Sequence, residues 1–306
     1  MCPKAAVWSV LHLVIESSVN SDTPPSLTVS IVVYTLDKAV LTRTLESLQV
    51  AARRALDANL LRGITLYLID NAESDTNTPI LAALLEAQLT SMPEARESCV
   101  LSGHGNIGYG RAHNLAISRT AQHVGQANDL FLILNPDVIV QPDTLCVGID
   151  WLASHQQTVA VAPAISDGNG HTASACKRYP SVLDFVLRGF APTVIKKHFA
   201  KRLAHYDMQD LPSDRPSEDI PVISGCFMLF RQSTLQQLNG FDPGYFLYFE
   251  DFDLALRAHT LGTLTYLPAM RITHLGGHSA KKGLRHIGMF GRSGFRFFNT
   301  HGWRWS

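Results

Sequence analysis

The stretch D-L-F-L-I-L-N-P-D-V-I-V, Asp129 to Val140, decides how the rest of the chain is read. Leu130 to Leu134 are five apolar residues in a row. A short apolar run closed by a turn signal predicts a strand buried on both faces. Pro136 has no N–H to give a sheet ladder, so the strand is expected to stop at about Asn135. Asp137 then stands just past the carboxyl end of a central parallel strand, the edge where open α/β sheets take their ligands. A carboxylate between two apolar runs fits a divalent-cation site. Asn-Pro-Asp is also ordinary turn chemistry, and the stretch alone leaves both readings open.

Upstream, Leu27 to Tyr34 is β-branched and apolar, a buried first strand. Lys38 to Ala55 carries Val40, Leu41, Leu45, Leu48 and Ala52 near helical spacing. Ile64 to Ile69 reads as the second strand, with Asp70-Asn71 at its end, and Thr78 to Leu89 as a helix. Cys99 to Leu101 ends a third strand before the Gly-rich G-H-G-N-I-G-Y-G (Gly103–Gly110), and Arg111 to Gln122 reads as the helix before Leu130–Leu134. This β-α-β-α-β-α-β order predicts an α/β fold with a mainly parallel sheet and helices on both faces. Downstream, Thr158–Pro163, Ile220–Phe230 with a break at Gly225, and Thr263–Thr273 ending at His274 read as strands. Phe249 to Thr260 reads as a helix that begins at an acidic cluster.

The chain has 306 residues, 46% hydrophobic and 17% charged, with zero formal net charge. That is ordinary for a soluble globular enzyme and carries no nucleic-acid signature. The distribution of charge says more. Leu254 to Ser306 holds eight Lys or Arg and no acid, and Lys177 to Arg202 holds seven against Asp184 alone. Basic surface of this kind suits a phosphate-rich ligand or an anionic membrane face. Five scattered cysteines without a C-x-x-C pair argue for a reducing compartment and against a zinc ribbon. No apolar run reaches the roughly 18–20 residues of a spanning helix. Ala5 to Ile15 resembles a signal sequence but lacks a cleavage motif, so residues 1–26 are expected to be a disordered or interfacial extension.

Gly103, Gly105 and Gly108 fit G-x-G-x-x-G, the dinucleotide fingerprint. The ribose-binding acid of that fold must sit at the carboxyl end of the next strand. Asp129, 21 residues past Gly108, instead precedes Leu130–Leu134 and so falls at the opposite edge. The loop reads better as backbone approaching a ligand, with Asn106 and Asn114 as polar contacts, or as a solvated turn.

Asp70, Asn106, Asp137, Glu250-Asp251 and His274 all stand at or just beyond strand ends and can share one crevice. Their order resembles the rhamnosyltransferase-like members of the family-2 inverting glycosyltransferases of GT-A fold. The matching motifs are S-I-V-V-Y (Ser30–Tyr34), L-I-D-N (Leu68–Asn71), N-I-G-Y-G-R-A-H-N (Asn106–Asn114), L-N-P-D (Leu134–Asp137), I-S-G-C-F-M-L-F-R (Ile223–Arg231), G-F-D (Gly240–Asp242), Y-F-E-D-F-D-L-A-L-R (Tyr248–Arg257) and H-L-G-G-H-S (His274–Ser279). The resemblance spans about Leu27 to Trp303.

The resemblance implies a GT-A domain over 27–275, with a nucleotide-sugar half (27–140) and an acceptor half (141–275), followed by a basic, aromatic segment (276–306). It implies that Tyr34, Asp70, Asn71, Asn106, Gly108, Asn114, Asn135 and Asp137 bind a nucleoside-diphosphate sugar. Asp137 is expected to take Mn²⁺ or Mg²⁺. Many relatives carry Asp-x-Asp where this chain has Asn135-Pro136-Asp137, so the metal needs a second ligand, expected at His274, with His278 a poorer alternative. Asp251 maps to the base that deprotonates the acceptor, and Glu250 to a neighbour that tunes it or binds acceptor. Asp253 and Arg257 read as a surface i,i+4 pair, and Lys281, Lys282 or Arg285 as help for the leaving diphosphate. Relatives often have Thr-Tyr-Asn after the first strand, whereas this chain has Tyr34-Thr35-Leu36.

The expected reaction is transfer from dTDP-L-rhamnose, or another nucleotide sugar, to a saccharide or lipid-linked saccharide in cell-surface polysaccharide synthesis. The expected place is the cytoplasm, with peripheral attachment to the cytoplasmic face of the inner membrane through Lys177–Tyr206 and the C-terminus. Two alternatives stand beside it. A sugar-nucleotide pyrophosphorylase would need a Gly-rich basic loop after the first strand, and Tyr34–Ala39 has none. A binding module without catalysis is suggested by Asn135 and opposed by Glu250, Asp251 and His274.

Overall fold

The computed structural model describes residues 23–91, 95, 97–122, 126, 128–189, 191–276 and 284–306. Its first half is the expected alternation: β1 (Ser26–Val33), α1 (Lys38–Asp57), β2 (Gly63–Asp70), α2 (Thr78–Ser91), β3 (Cys99–Leu101), α3 (Tyr109–Ala121) and β4 (Leu130–Leu134). Then follow β5 (Val138–Val140), α4 (Thr144–Ser154), β6 (Thr158–Asp167), β7 (Thr172–Ala173), β8 (Cys176–Lys177), α5 (Val182–Gly189), α6 (Thr193–His198) and α7 (Ala200–Tyr206). The chain closes with β9 (Val222–Ile223), β10 (Phe227–Arg231), α8 (Gln232–Gln237), α9 (Glu250–Ala258), β11 (Thr263–His274) and α10 (Leu284–His301). The extension read as 1–26 lies outside the described residues up to position 22, and Ser26 already belongs to β1.

One sheet runs in the order β3-β2-β1-β4-β10-β6-β11-β5, with β7 on β6. The strands β3, β2, β1 and β4 are parallel. The strand β10 is antiparallel to both β4 and β6, so the sheet continues unbroken from the first half of the chain into the second. The strand order turns back at β1, whose neighbours are β2 and β4. That makes the crevice beyond the carboxyl ends of β1 and β4 the switch point where such sheets bind ligands. Every residue of β4 and all of β1 from Leu27 on are buried, as their unbroken apolar runs require. The helices α1 and α4 pack together on one side of the sheet, and α3 with α8 and α9 on the other.

Asp129 lies at the amino edge. It accepts the Ser26 N–H (2.8 Å) and pairs with Arg62 (2.7 Å) at the base of β1 and β2. Its role is to close the bottom of the sheet, which removes the dinucleotide reading on geometry.

The C-terminal segment is more deeply built in than its aromatic-basic composition implies. Phe297 and Phe298 of α10 are buried with Tyr245 and Phe249, and Phe185 and Phe290 pack against them. Asp253 is buried too. It binds Arg257 (2.8 Å) as expected, and also His301 of α10 (2.8 Å), so the pair is an interior clamp and not a surface one.

Candidate active site

The two predicted metal ligands meet because two strand ends meet. Asp137 follows β4 by three residues and precedes β5, and β5 pairs antiparallel with the end of β11, Val138 opposite His274. The Leu275 N–H donates to the Asp137 carbonyl (2.9 Å), which extends that ladder. The side chains converge, with His274 Nε2 lying 3.2 Å from Asp137 Oδ1. Two ligands in neighbouring positions of an octahedron with bonds of about 2.1 Å stand roughly 3.0 Å apart, so the spacing fits a shared hard cation. Among the described residues no group of three His, Cys, Asp or Glu joins them. His278, Lys281 and Lys282 lie outside the described residues, as does the side chain of Arg285.

The acidic pair stands at the start of α9. Tyr248 and Phe249 both adopt left-handed backbone (φ 72° and 67°), which is costly for aromatic residues and turns the chain sharply into α9. The turn is held by Phe249 in the aromatic core and by Tyr248 Oη, 2.9 Å from His286 Nδ1. Glu250 and Asp251 open α9, where the helix N-terminus favours negative charge. Glu250 is buried, with no partner for Oε2 among the described residues. Desolvation, then the neighbouring Asp251 charge, raises its carboxyl above the ordinary range. Desolvation also raises Asp251, opposed by the N–H groups of Gly225 (3.0 Å to Oδ2) and Phe252 (3.0 Å to Oδ1) and by the charge of Lys177. Two adjacent carboxyls with raised affinity for protons are suited to taking one from a hydroxyl.

The nucleotide side is a mixture. Tyr34, at the end of β1, is 51% exposed and open to a ligand. Asp70 is buried, and its carboxylate already accepts Thr78 Oγ1 (2.8 Å), Asn77 Nδ2 (3.2 Å) and the Ala72 N–H (3.3 Å), which locks the loop into α2. Asn71 accepts the Ile107 N–H (3.1 Å) and donates to Asn106 Oδ1 (3.3 Å), and Asn106 Oδ1 in turn accepts the Gly108 N–H (3.2 Å). Asn114 clamps the Phe241 main chain through both amide heads, at 2.8 Å each. Its neighbour His113 holds Ser30 Oγ (2.7 Å) and burial pushes its imidazole down to about 3, so it stays neutral. Gly108 has φ +93°, and a Cβ there would lie 2.3 Å from the Phe246 carbonyl oxygen. The close approach inferred for the Gly-rich loop is therefore real, but its partner is the chain itself. The N–H groups of residues 107, 108 and 109 are all taken by protein acceptors, the last by Phe246 (3.1 Å).

No family model matches the chain. It is 30% identical over 227 residues to the N-acetylglucosaminyl-diphospho-decaprenol L-rhamnosyltransferase of Mycobacterium tuberculosis, covering 71% of this chain and 68% of that one. The chain belongs to the rhamnosyltransferase-like family-2 glycosyltransferases. The glycosyltransferase is also 30% identical over 178 residues to the rhamnosyltransferase WbbL of Escherichia coli K12, covering 57% of this chain and 63% of WbbL. Its fold matches the crystal structure of GalNAc-T7 with UDP, GalNAc and Mn²⁺ at TM-score 0.57 and 15% identity, over 85% of this chain and 45% of that one. The GT-A fold expected from the motif order is the fold observed.

Three further residues of the candidate site leave little mark in the sequence. Tyr109 is one residue of the Gly-rich motif. Its hydroxyl stands 2.9 Å from Asn135 Oδ1 and 2.8 Å from the Gly225 carbonyl. Gly225 reads in the sequence only as a break. It is the residue against which Asp251 packs, a Cβ there lying 3.1 Å from Asp251 Cβ. Lys177 was one charge in a basic run. In the fold it is half-buried 3.7 Å from Asp207, its ammonium pushed down by desolvation and by Arg188, while Asp207 and Asp251 hold it charged.

Proposed function

We propose that this glycosyltransferase moves a sugar, with inversion, from a nucleoside-diphosphate sugar to a saccharide hydroxyl, with Asp251 as base. The observation that supports the reading is that Tyr109 and Cys226 each feel the charges of both Asp137 and Asp251, which sets the Asp137–His274 pair and the acidic pair around the same two residues. Asp137 and His274 would hold Mn²⁺ or Mg²⁺, which neutralises diphosphate charge when bound. Asp251 receives the acceptor proton as the hydroxyl oxygen attacks the anomeric carbon on the face away from the diphosphate. Glu250 keeps a second acidic group beside it, so the pair retains protons to a higher pH than a lone carboxylate. Tyr34 offers its exposed ring to the base of the nucleotide. Asp70, Asn71, Asn106, Gly108 and Asn114 act by shaping the walls. Asn135 contacts sugar or ribose.

The donor is dTDP-L-rhamnose and the acceptor a lipid-linked saccharide, in cell-surface polysaccharide synthesis. The rhamnosyl transfer named for both relatives and the diphospho-decaprenol named for one support this choice. The enzyme works at the cytoplasmic face of a membrane, docked through α5–α7 and the C-terminus. Arg304 and Trp305 accept main-chain hydrogen bonds from Val182 (2.8 Å) and Leu183 (3.2 Å), so the two basic-aromatic segments lie side by side. Val194, Ile195, Trp303 and Trp305 are exposed there. No helix among the described residues is long and apolar enough to cross a membrane.

The test is release of nucleoside diphosphate from a panel of nucleotide sugars with Mn²⁺ and a polyprenyl-diphosphate saccharide. Turnover of dTDP-rhamnose alone is the expected result. Turnover of UDP-hexoses instead would replace the donor, and no turnover of any donor would remove the reading.

A further inference from the structure

We propose that Tyr109 is a positioning residue for Asp251: its hydroxyl fixes Gly225, whose N–H holds Asp251 Oδ2, and at the same time sets the side chain of Asn135. The inference rests on the reading of Asp251 as base.

The argument starts with one hydrogen. Tyr109 Oη lies 2.8 Å from the Gly225 carbonyl and 2.9 Å from the Asn135 amide head. A carbonyl only accepts, so the phenolic hydrogen goes to Gly225. Asn135 must then face Tyr109 with its NH₂ and donate to Oη, since its two amide heads exchange by a half-turn. The Asn135 carbonyl oxygen is thereby turned away from Tyr109. A carboxylate at position 135 could not donate. It would draw the phenolic hydrogen from Gly225, so a neutral amide suits position 135.

Gly225 needs such a clamp. A glycine has the widest backbone freedom, and this one sits in the turn between β9 and β10. Tyr109 holds its C=O, while its N–H reaches Asp251 at 3.0 Å. Asn135 N–H also binds the Cys226 carbonyl (2.9 Å), so the chain just after the glycine is tied to the β4 exit. Loss of the hydroxyl frees the Gly225 backbone and weakens the N–H bond that favours ionised Asp251. The phenol itself stays protonated, because burial and then Asp251, Cys226, Glu250 and Asp137 all raise it. The other ionisable groups facing Asp251 are Glu250 on α9, Lys177 on β8, Tyr206 on α7 and Cys226 before β10. All four side chains are retained in Tyr109→Phe. The ring contacts of Tyr109 with His113 (4.5 Å) and Phe241 (6.2 Å) survive in Tyr109→Phe.

The experiment follows the Asp251 carboxyl by ¹³C NMR through a pH titration, its resonance assigned with Asp251→Asn. Wild type is compared with Tyr109→Phe and with 3-fluorotyrosine at position 109, a stronger donor of nearly the same size. The midpoint is expected to rise in Tyr109→Phe and to fall with 3-fluorotyrosine, and kcat of Tyr109→Phe to drop about tenfold with little change in donor KM. A midpoint equal in all three proteins overturns the proposal, as does a Tyr109→Phe enzyme with wild-type kcat. If Tyr109→Phe does not fold, the fluorotyrosine protein alone decides. The titration needs no substrate. Wild type inactive with every donor would indict the proposed reaction, while the midpoints would still judge Tyr109.

Discussion

His274 Nε2 and Asp137 Oδ1 stand 3.2 Å apart because β11 ends where β5 begins, in register. If the pair shares a cation, His274→Ala removes half of its protein ligands. Apparent Mn²⁺ affinity, read by electron paramagnetic resonance with nucleoside diphosphate present, is expected to fall at least ~10–100-fold. The fold should survive, since the contact adds only one hydrogen bond to a ladder held by main chain. Unchanged Mn²⁺ affinity would leave the pair as a plain hydrogen bond.

Asp251→Asn keeps the shape of the side chain and removes its basicity. Transfer is expected to fall about 10²–10⁴-fold while nucleotide binding by calorimetry is unaltered. The pH profile has a definite sign. A base must be ionised, so kcat/KM rises with pH through its raised carboxyl affinity, above the ordinary carboxylate range. Lys177 helps keep Asp251 charged. Lys177→Met should therefore move the acid limb to higher pH, and a limb that moves lower would contradict the placement of Lys177.

Glu250 is held in the fold at a cost in stability. Its folded-state affinity for a proton is raised, so the native state binds a proton that the unfolded chain releases near pH 4–5. Stability then declines as pH rises from that unfolded value through the folded one, and stays lower above it. Glu250→Gln has no such loss. Its Tm should exceed that of wild type at pH 8, and the two should coincide at pH 4. Equal Tm at both values would mean that Glu250 is solvated in solution.

Gly108 and Gly105 separate a packing glycine from a turn glycine. Both have positive φ, but only at Gly108 does a Cβ strike backbone. Gly105→Ala is expected to cost about 1–2 kcal/mol from conformation alone. Gly108→Ala should cost roughly 1–3 kcal/mol more by overpacking. Urea unfolding measures both, and equal losses would argue against the Phe246 contact.

The same loop marks the limit of what the sequence could disclose. Strands β1 and β4 were legible because burial on both faces needs unbroken apolar runs, and the break at Gly225 because glycine interrupts such a run. Asp137 and His274 were legible as strand-end polar residues. The jobs of Asn106 and Asn114 were not, since a side-chain amide that clamps main chain is written like one that binds a ligand. Lys177 was hidden because its importance comes from the two-residue strand β8, too short to leave a period in the sequence. The burial of Phe297 and Phe298 is not legible in the sequence because α10 finds its apolar partners far back in the chain, at Phe185, Tyr245 and Phe249.

Both α6 and the C-terminus border α5. Lys196 and Lys197 sit beside the exposed Val194 and Ile195 on α6, while the chain near Trp303 and Trp305 pairs with the start of α5. An aromatic and basic face of this kind binds anionic lipid through two additive terms, charge and apolar burial. Sedimentation with vesicles containing phosphatidylglycerol should show binding that weakens with salt. Each lysine contributes about 1 kcal/mol near such a surface. Lys196→Gln with Lys197→Gln should therefore weaken binding roughly 30-fold, that free energy converted at 1.4 kcal/mol per factor of ten. Trp305→Ala should weaken it without changing the salt slope, because it removes apolar area and no charge. Binding equal in both variants and wild type would move the membrane-facing surface elsewhere on the fold and leave these segments as plain solvated surface.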